Sequence, residues 1–251
     1  YRGVVLTTGS SGTIACADYM KLQSPNSKIA ASEALQCPTM LQNGFGSHRI
    51  EGIGDKHIPW IHNVKNTDMV IAIDDEATIE IMRLFNEPEG HKYLSEMGVP
   101  EIFLSNLDLL GMSSIANLIA CIKFAKWYDL GPNDVILTML TDSMEMYGSR
   151  IREMSDNRGE YTDRDASAAY HQHLMGTTTD AMEELTYPAR KRIHNLKYYT
   201  WVEQQGKTYD EIEAQWYDEG YWDSIHDCAP ELDALIDEFN GMTGLYGTAL
   251  D

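Results

Sequence analysis

The stretch VVLTTGSSGT, residues 4–13, joins an apolar run to a turn rich in small hydroxyl residues. Val4–Thr8 is apolar and β-branched, which is typical of a buried strand. The turn Gly9–Thr13 interrupts it, and apolar residues at helical spacing follow from Ile14 to Leu22. The stretch therefore predicts a strand, a tight turn and a helix in immediate succession.

A turn of this composition is suited to binding a phosphate group. Small residues let the backbone curl closely around the anion, to which hydroxyl and backbone N–H groups donate hydrogen bonds. The GSSGT turn lacks the Lys-Ser/Thr pair of a Walker A loop and the spacing of a G-x-G-x-x-G fingerprint. Taken alone, it predicts either a phosphate-binding loop or a plain strand-to-helix turn.

Strands and helices alternate through the first 150 residues. Further strands are predicted at Lys28–Ser32, Met69–Ile73 and Val135–Leu140, with helices following Asp74 or Asp75 and over Ser113–Trp127. This alternation predicts an α/β fold with a parallel sheet covered by helices. The long glycine-rich stretch from Ala34 to Val64 predicts a functional or mobile loop.

The composition changes near residue 150. Residues 151–251 carry 21 acidic and 8 basic side chains, and their apolar residues follow helical rather than strand spacing. Amphipathic helices are predicted at Ala166–Leu174, Ala181–Leu185, Asp210–Tyr217 and Glu231–Phe239. We therefore predict two domains, an α/β domain over residues 1–150 and an acidic helical extension over residues 151–251.

Charge and hydropathy exclude several classes of protein. The formal net charge of −20 argues against a nucleic-acid partner, since a phosphate backbone requires a basic surface. The sequence contains no run of 18 apolar residues, so no membrane span is predicted. The first residues do not resemble a signal peptide. The four cysteines show no metal-binding or disulfide spacing. These features predict a protein of the reducing cytoplasm.

Three further segments follow the GSSGT turn in a fixed order. HRIEGIG, residues 48–54, lies in the long loop, and GMSSIA, residues 111–116, opens the strong helix. TDSMEMY, residues 141–147, follows the last strand. Together with GSSGT, this series resembles the cysteine synthase family, within the tryptophan synthase β-like, fold-type II enzymes that use pyridoxal 5′-phosphate (PLP). The resemblance covers roughly residues 3–150.

The resemblance implies a set of cofactor-binding residues. The PLP phosphate would be held by the turn, and the cofactor's reactive face would lie beside a mobile glycine loop. Ser113 would accept or donate the hydrogen bond at the pyridine nitrogen, and Ser143 would lie near the ring. The complete set is Gly9, Ser10, Ser11, Gly12, Thr13, Gly52, Ile53, Gly54, Ser113 and Ser143.

The implied reaction is β-elimination or β-replacement through an aminoacrylate, on a small amino acid of the cysteine, serine or O-acylserine type. A neutral hydroxyl at the ring nitrogen fits this chemistry, because the leaving group drains the carbanion and a strong electron sink is not needed. The chain departs from the family pattern at Ser11, where the family has its second glycine, and at Ile115, where the family also has glycine.

The family's Schiff-base lysine precedes the strand that leads into the phosphate turn. Only eight residues precede Gly9 here, and none is a lysine. We therefore expect a complementary N-terminal segment or partner chain to supply it, and the resemblance also implies a homodimer. The alternatives are a non-catalytic subunit that binds PLP without turnover, and an unrelated α/β domain that binds another phosphorylated metabolite. No metal ligand set is predicted.

Overall fold

Five strands form one sheet in the computed structural model, which describes residues 1–244. The strands are β1 (Gly3–Thr7), β2 (Lys28–Ala34), β3 (Met69–Ile73), β4 (Ile136–Leu137) and β5 (Met182–Glu184). Their spatial order is β4-β1-β2-β3-β5. The first four strands are parallel, and only β5 runs antiparallel to its neighbour. The predicted α/β fold with a parallel sheet is confirmed.

Every residue of β1 and β3 is buried, because helices cover both faces of the sheet. On one face, Val5 and Ile71 pack in a core with Ile79 and Ile115 from two long helices. On the other face, Val4, Leu6 and Ile29 form a second core with Ile14 and Ile193. The alternation of side chains along each strand produces these two cores.

Twelve α-helices lie within the described residues. They are α1 (Ala17–Gln23), α2 (Thr39–Gln42), α3 (Asp75–Asn86), α4 (Pro88–Glu96), α5 (Glu101–Leu104), α6 (Met112–Trp127), α7 (Gly148–Arg158), α8 (Asp163–Ala169), α9 (Tyr187–Asn195), α10 (Tyr209–Tyr217), α11 (Tyr221–His226) and α12 (Ala229–Thr243). Short 3₁₀ turns occur at Ile14–Cys16, Val64–Asn66, Leu107–Leu109 and Met144–Met146, and π-helical turns at Tyr170–Met175 and Tyr198–Val202.

Local sequence signals account for several helix boundaries. Asp74, one of the two predicted caps, accepts a hydrogen bond from the Glu76 backbone N–H and starts α3. Thr162 and Thr208 form capping boxes with the acidic residue three positions later, and these start α8 and α10. The helix predicted after the GSSGT turn begins with the 3₁₀ turn Ile14–Cys16.

The predicted helix at Ala181–Leu185 is wrong, because this segment forms strand β5. Glu184 pairs with Met69 and Met182 pairs with Ile71, so the segment covers the edge of β3. Five residues are too few to distinguish a helical period from a strand. An edge with unpaired backbone groups favours the strand. The last parallel strand is also shorter than predicted, with only Ile136 and Leu137 in the ladder.

Contacts divide the chain into two compact units, residues 1–200 and residues 201–251. Residues 151–200 lie in the first unit, although the composition changes at residue 150, because they contribute β5 and α9 to the sheet and its second core. In the second unit, Trp222 Nε1 donates to the Gln215 carbonyl at 3.0 Å and joins α11 to α10. No helix within the described residues is long and apolar enough to cross a membrane.

Candidate cofactor site

The GSSGT turn places a buried hydroxyl at the carboxyl end of β1. Ser11 has a φ of 66°, a left-handed conformation that favours glycine. Its side chain is only 2% exposed, and its Oγ atom has no hydrogen-bond partner. The turn is held by a hydrogen bond from the Ala15 N–H to the Ser11 carbonyl. The chain therefore keeps a strained residue and an unpaired buried hydroxyl at position 11, where the resemblance implies a glycine.

The glycine loop of residues 52–54 packs directly against this turn. Gly52 and Gly54 each have a φ of 82°, and the Gly54 N–H donates to the Thr8 carbonyl at 2.9 Å. A Cβ atom added to Gly9 would lie 3.1 Å from the Gly52 carbonyl oxygen. The positive φ thus favours glycine at positions 52 and 54, and the close approach favours it at position 9. Between the two glycines, Ile53 points into the core and is 5% exposed.

His48 supports the glycine loop from behind. Its Nε2 atom lies 3.2 Å from the Gly54 carbonyl oxygen, which it serves as a donor when that nitrogen is protonated. A Cβ atom on Gly54 would lie 2.5 Å from the same nitrogen. A second loop histidine, His62, is 1% exposed, and burial, with smaller contributions from Lys197 and His194, lowers its pKa to about 3. His48 therefore contacts the glycine loop directly, whereas His62 Nε2 lies 2.8 Å from Thr67 Oγ1.

Ser113, at the start of α6, belongs to a hydrogen-bonded group of side chains. Its Oγ atom lies 2.6 Å from Thr141 Oγ1 and donates to Asp142 Oδ1 at 3.2 Å. The Tyr147 hydroxyl donates to the other carboxylate oxygen of Asp142. Burial, followed by this hydrogen bond, raises the pKa of Tyr147 well above its ordinary value. Asp142 therefore joins the start of α6 to the segment that follows β4.

These segments surround one open cavity of about 550 Å³. That volume is within the range of small-molecule and cofactor sites. The residues that line it are Thr7, Gly9, Ser10, Ser11, Gly12, Thr13, Glu51, Gly52, Ser113, Thr141, Asp142, Met146 and Tyr147. The whole predicted phosphate turn, Gly52 and Ser113 thus come together, whereas Ile53, Gly54 and Ser143 do not line the cavity.

Asp142, Tyr147 and Glu51 were not predicted as site residues. All three lie inside segments that carry the family resemblance, TDSMEMY and HRIEGIG. The position of Asp142 and Tyr147 after a strand, and of Glu51 within the glycine loop, could therefore have identified them as site residues. Glu51 lines the cavity, and Arg150 Nε donates to Glu51 Oε1 at 2.7 Å and offsets its charge. No lysine of the described residues lines the cavity.

The chemistry of the cavity fits the phosphate ester of PLP. The buried Ser11 hydroxyl requires an acceptor, and a phosphate oxygen would provide one. The exposed Ser10 and Gly12 leave room for an anion beside it, since a Cβ atom on Gly12 would meet nothing within 4 Å. No group of metal-binding side chains occurs among residues 1–244.

The fold defines the class of protein, an α/β protein built on a mostly parallel sheet. Comparison with known sequences then shows which proteins the chain is similar to. The chain is 32% identical to cysteine synthase B of Campylobacter jejuni over 140 residues, which are 55% of this chain and 40% of that protein. It is 27% identical to cysteine synthase of Staphylococcus aureus over 140 residues, 55% of this chain and 39% of that protein. The predicted resemblance to the cysteine synthase family is confirmed.

The similarity is partial, since the chain spans about 40% of the length of these curated relatives. No family model matches the chain. Among solved structures, a hydrogen sulfide-producing enzyme from Fusobacterium nucleatum matches with a TM-score of 0.46 and 25% identity, over 66% of this chain and 44% of that chain. O-Acetyl serine sulfhydrylase isoform 3 from Entamoeba histolytica matches with a TM-score of 0.49 and 21% identity, over 67% and 45%.

Proposed function

We propose that the chain is the cofactor-phosphate-binding part of a PLP-dependent lyase or synthase. The reaction would be β-elimination or β-replacement on a small amino acid of the cysteine, serine or O-acylserine type. One observation carries the proposal. The GSSGT turn, with its buried unpaired Ser11 hydroxyl, opens into the same cavity as Gly52 and Ser113.

The turn would hold the cofactor through its phosphate. Ser10 and Ser11 offer two hydroxyl donors at the cavity wall, and the Ser11 hydroxyl is already desolvated. Thr13 Oγ1 donates to the Thr7 carbonyl at 3.4 Å and holds the turn. A phosphate ester would accept hydrogen bonds from the two serine donors and fix the position of the attached ring. Gly52 would line the cavity beside the turn, because its carbonyl oxygen packs against Gly9.

Ser113 would contact the ring nitrogen, and Asp142 would control how it does so. PLP supplies an electron sink for the carbanion formed at the substrate α-carbon. Ser113 has one proton, and the ionised Asp142 carboxylate attracts it more strongly than the neutral Thr141 hydroxyl does. A lone pair of Ser113 Oγ would then remain to accept a hydrogen bond from a group bound in the cavity. The sequence alone suggested a wholly neutral environment for the Ser113 hydroxyl. The contact with the Asp142 carboxylate makes that environment partly acidic.

The Schiff-base lysine would come from a complementary segment or partner chain. The test is borohydride reduction of the native protein, followed by intact and peptide mass measurement. A PLP adduct on a lysine of a longer polypeptide, or of a co-purifying chain, would support a working enzyme. Absence of any adduct, together with failure of PLP to bind, would contradict the proposal.

Binding to this chain can be measured separately from turnover. PLP fluorescence in the purified chain should show saturable binding that Ser11→Asp abolishes, because a carboxylate would repel the phosphate. Ser149→Ala, an exposed position outside the cavity, is the matched control. Saturable PLP binding without any lysine adduct would favour the second candidate, a non-catalytic PLP-binding subunit. The observation that supports this second candidate is the lining of the cavity, which includes no lysine of the described residues.

A further inference from the structure

The helix α12 carries an exposed apolar stripe. Its members lie at helical spacing, and each is more than half exposed. They are Leu232, Leu235, Ile236, Phe239 and Met242. No side chain of this 15-residue helix is buried within the described part of the chain. An apolar stripe of this length on a surface helix is typical of an interaction site.

The spacing of the stripe is that of a coiled-coil seam. Leu232 and Phe239 are seven residues apart, as are Leu235 and Met242, so they occupy the a and d positions of two heptads. The pattern extends backwards through Ile225, which is 46% exposed. It also includes the exposed Cys228, seven residues before Leu235, because the backbone between α11 and α12 is helical.

The charged residues of α12 select the arrangement of two such helices. All four are acidic, and two of them, Glu231 and Glu238, flank the seam at g positions. In a parallel pair, each g residue faces the e residue five positions later on the partner. Glu231 would then face Ile236, and Glu238 would face Thr243. An antiparallel pair would oppose Glu231 with Glu238, which is unfavourable.

We propose that the α12 stripe is a self-association surface, through which two copies of the chain pair their α12 helices in parallel. The parallel arrangement buries the stripe and opposes no like charges across the seam. It also places the two Cys228 thiols opposite each other at the same end, since both occupy the same d position of their helices. The seam is short, so the dimer is expected to be weak, with a Kd in the micromolar range.

Light scattering over a concentration series tests the proposal. Between about 1 and about 200 µM, the full chain should change from monomer to dimer. The double variant Leu235→Asp/Phe239→Asp should weaken association by at least about 100-fold, because two apolar anchors are lost. Ala234→Ser, an uncharged change at an exposed position of the same helix outside the seam, should leave it unchanged. A monomer at every concentration, or a dimer unaffected by the double variant, would overturn the proposal.

Salt distinguishes a second copy from a basic partner protein. Two chains that each carry a net charge of −20 repel one another, so NaCl should strengthen the dimer by screening. If salt instead weakens the association, the acidic flanks of the stripe bind a basic partner, and the proposal of self-pairing is overturned.

Disulfide trapping tests the parallel arrangement. Diamide oxidises two thiols to one disulfide and is itself reduced to the hydrazine. In a Cys16→Ser background, which removes the other exposed cysteine, diamide should give a covalent dimer. Cys16→Ser/Cys228→Ser should give none. A dimer that depends on the α12 stripe but is not trapped through Cys228 would overturn the parallel arrangement.

Discussion

The Ser113 hydroxyl lies 3.2 Å from Asp142 Oδ1, and this contact joins two chain segments that are far apart in sequence. A Cβ atom on Gly111 would lie 2.3 Å from the same carboxylate oxygen, so the start of α6 is packed tightly on Asp142. The wall of the cavity that would face the cofactor ring therefore depends on one carboxylate.

Replacement of Asp142 should loosen this wall. Asp142→Asn would remove the ionised acceptor of the Ser113 and Tyr147 hydroxyls and lower the free energy of unfolding by about 2 kcal/mol. Urea denaturation measures the change, and Asp108→Asn, an exposed position, is the control. In a double-mutant cycle, Asp142→Asn and Tyr147→Phe should be non-additive. Fully additive effects would contradict the contact.

The strained Ser11 predicts a gain in stability when it is changed to glycine. Ser11→Gly would relieve the left-handed conformation and remove the unpaired buried hydroxyl, and it should raise the free energy of unfolding by about 1 kcal/mol. Ser10→Gly, next to it without a positive φ, should be neutral or destabilising. PLP should bind more weakly to Ser11→Gly, since one donor is lost. A less stable Ser11→Gly protein would disprove the strain.

Substitutions at the two glycines of the loop distinguish the cost of backbone strain from the cost of close packing. Gly52→Ala would add a Cβ atom in open space and should cost about 1 kcal/mol through its positive φ alone. Gly54→Ala has the same φ but would also collide with His48 Nε2, so it should cost at least about 1 kcal/mol more. Thermal or urea unfolding of both variants measures the difference. Equal losses would mean that His48 moves aside freely.

Glu33 should make the stability of the chain depend on pH. Burial raises its pKa from 4.5 to about 7, although the N–H groups of Met40 and Leu41 donate to its oxygens at 2.9 Å and oppose the shift. Between these values the folded chain retains a proton that the unfolded chain releases. This contribution to stability is therefore present below pH 4.5 and is lost as the pH rises through about 7.

The loss should amount to roughly 3 kcal/mol between pH 4.5 and pH 8. Urea denaturation at both pH values, for the native chain and for Glu33→Gln, measures it as a difference in pH dependence. Glu96→Gln, which changes an exposed carboxylate, is the control. If Glu33→Gln retained the full pH dependence of the native chain, Glu33 would not be its source.

Much of the site could be predicted because its residues occur in short segments with local signals. Strand β1, the phosphate turn and the start of α6 follow from residues 4–13 and 111–116, where apolar periodicity and small residues occur together. These segments meet in one cavity because the carboxyl ends of parallel strands lie at the same edge of a sheet. Gly52 joins them through its contact with Gly9.

The remaining features depend on tertiary contacts. The carboxylate of Asp142 has its role only because Ser113 and Tyr147 surround it, and no local pattern indicates that arrangement. Strand β5 exists because β3 has a free edge, and the propensity of residues 182–184 alone did not identify it. The position of Ile53 in the core was also hidden, because one residue between two glycines has no periodicity.

Strand β5 also has a consequence for how the chain is made. Met69 pairs with Glu184, so the ribosome must add more than 100 residues after β3 before the partner of that edge exists. During this interval the apolar strand Met69–Ile73 would present unpaired backbone groups, which is the condition under which nascent chains aggregate or recruit chaperones. The sheet is thus completed late in synthesis, by a segment that lies beyond all of its parallel strands.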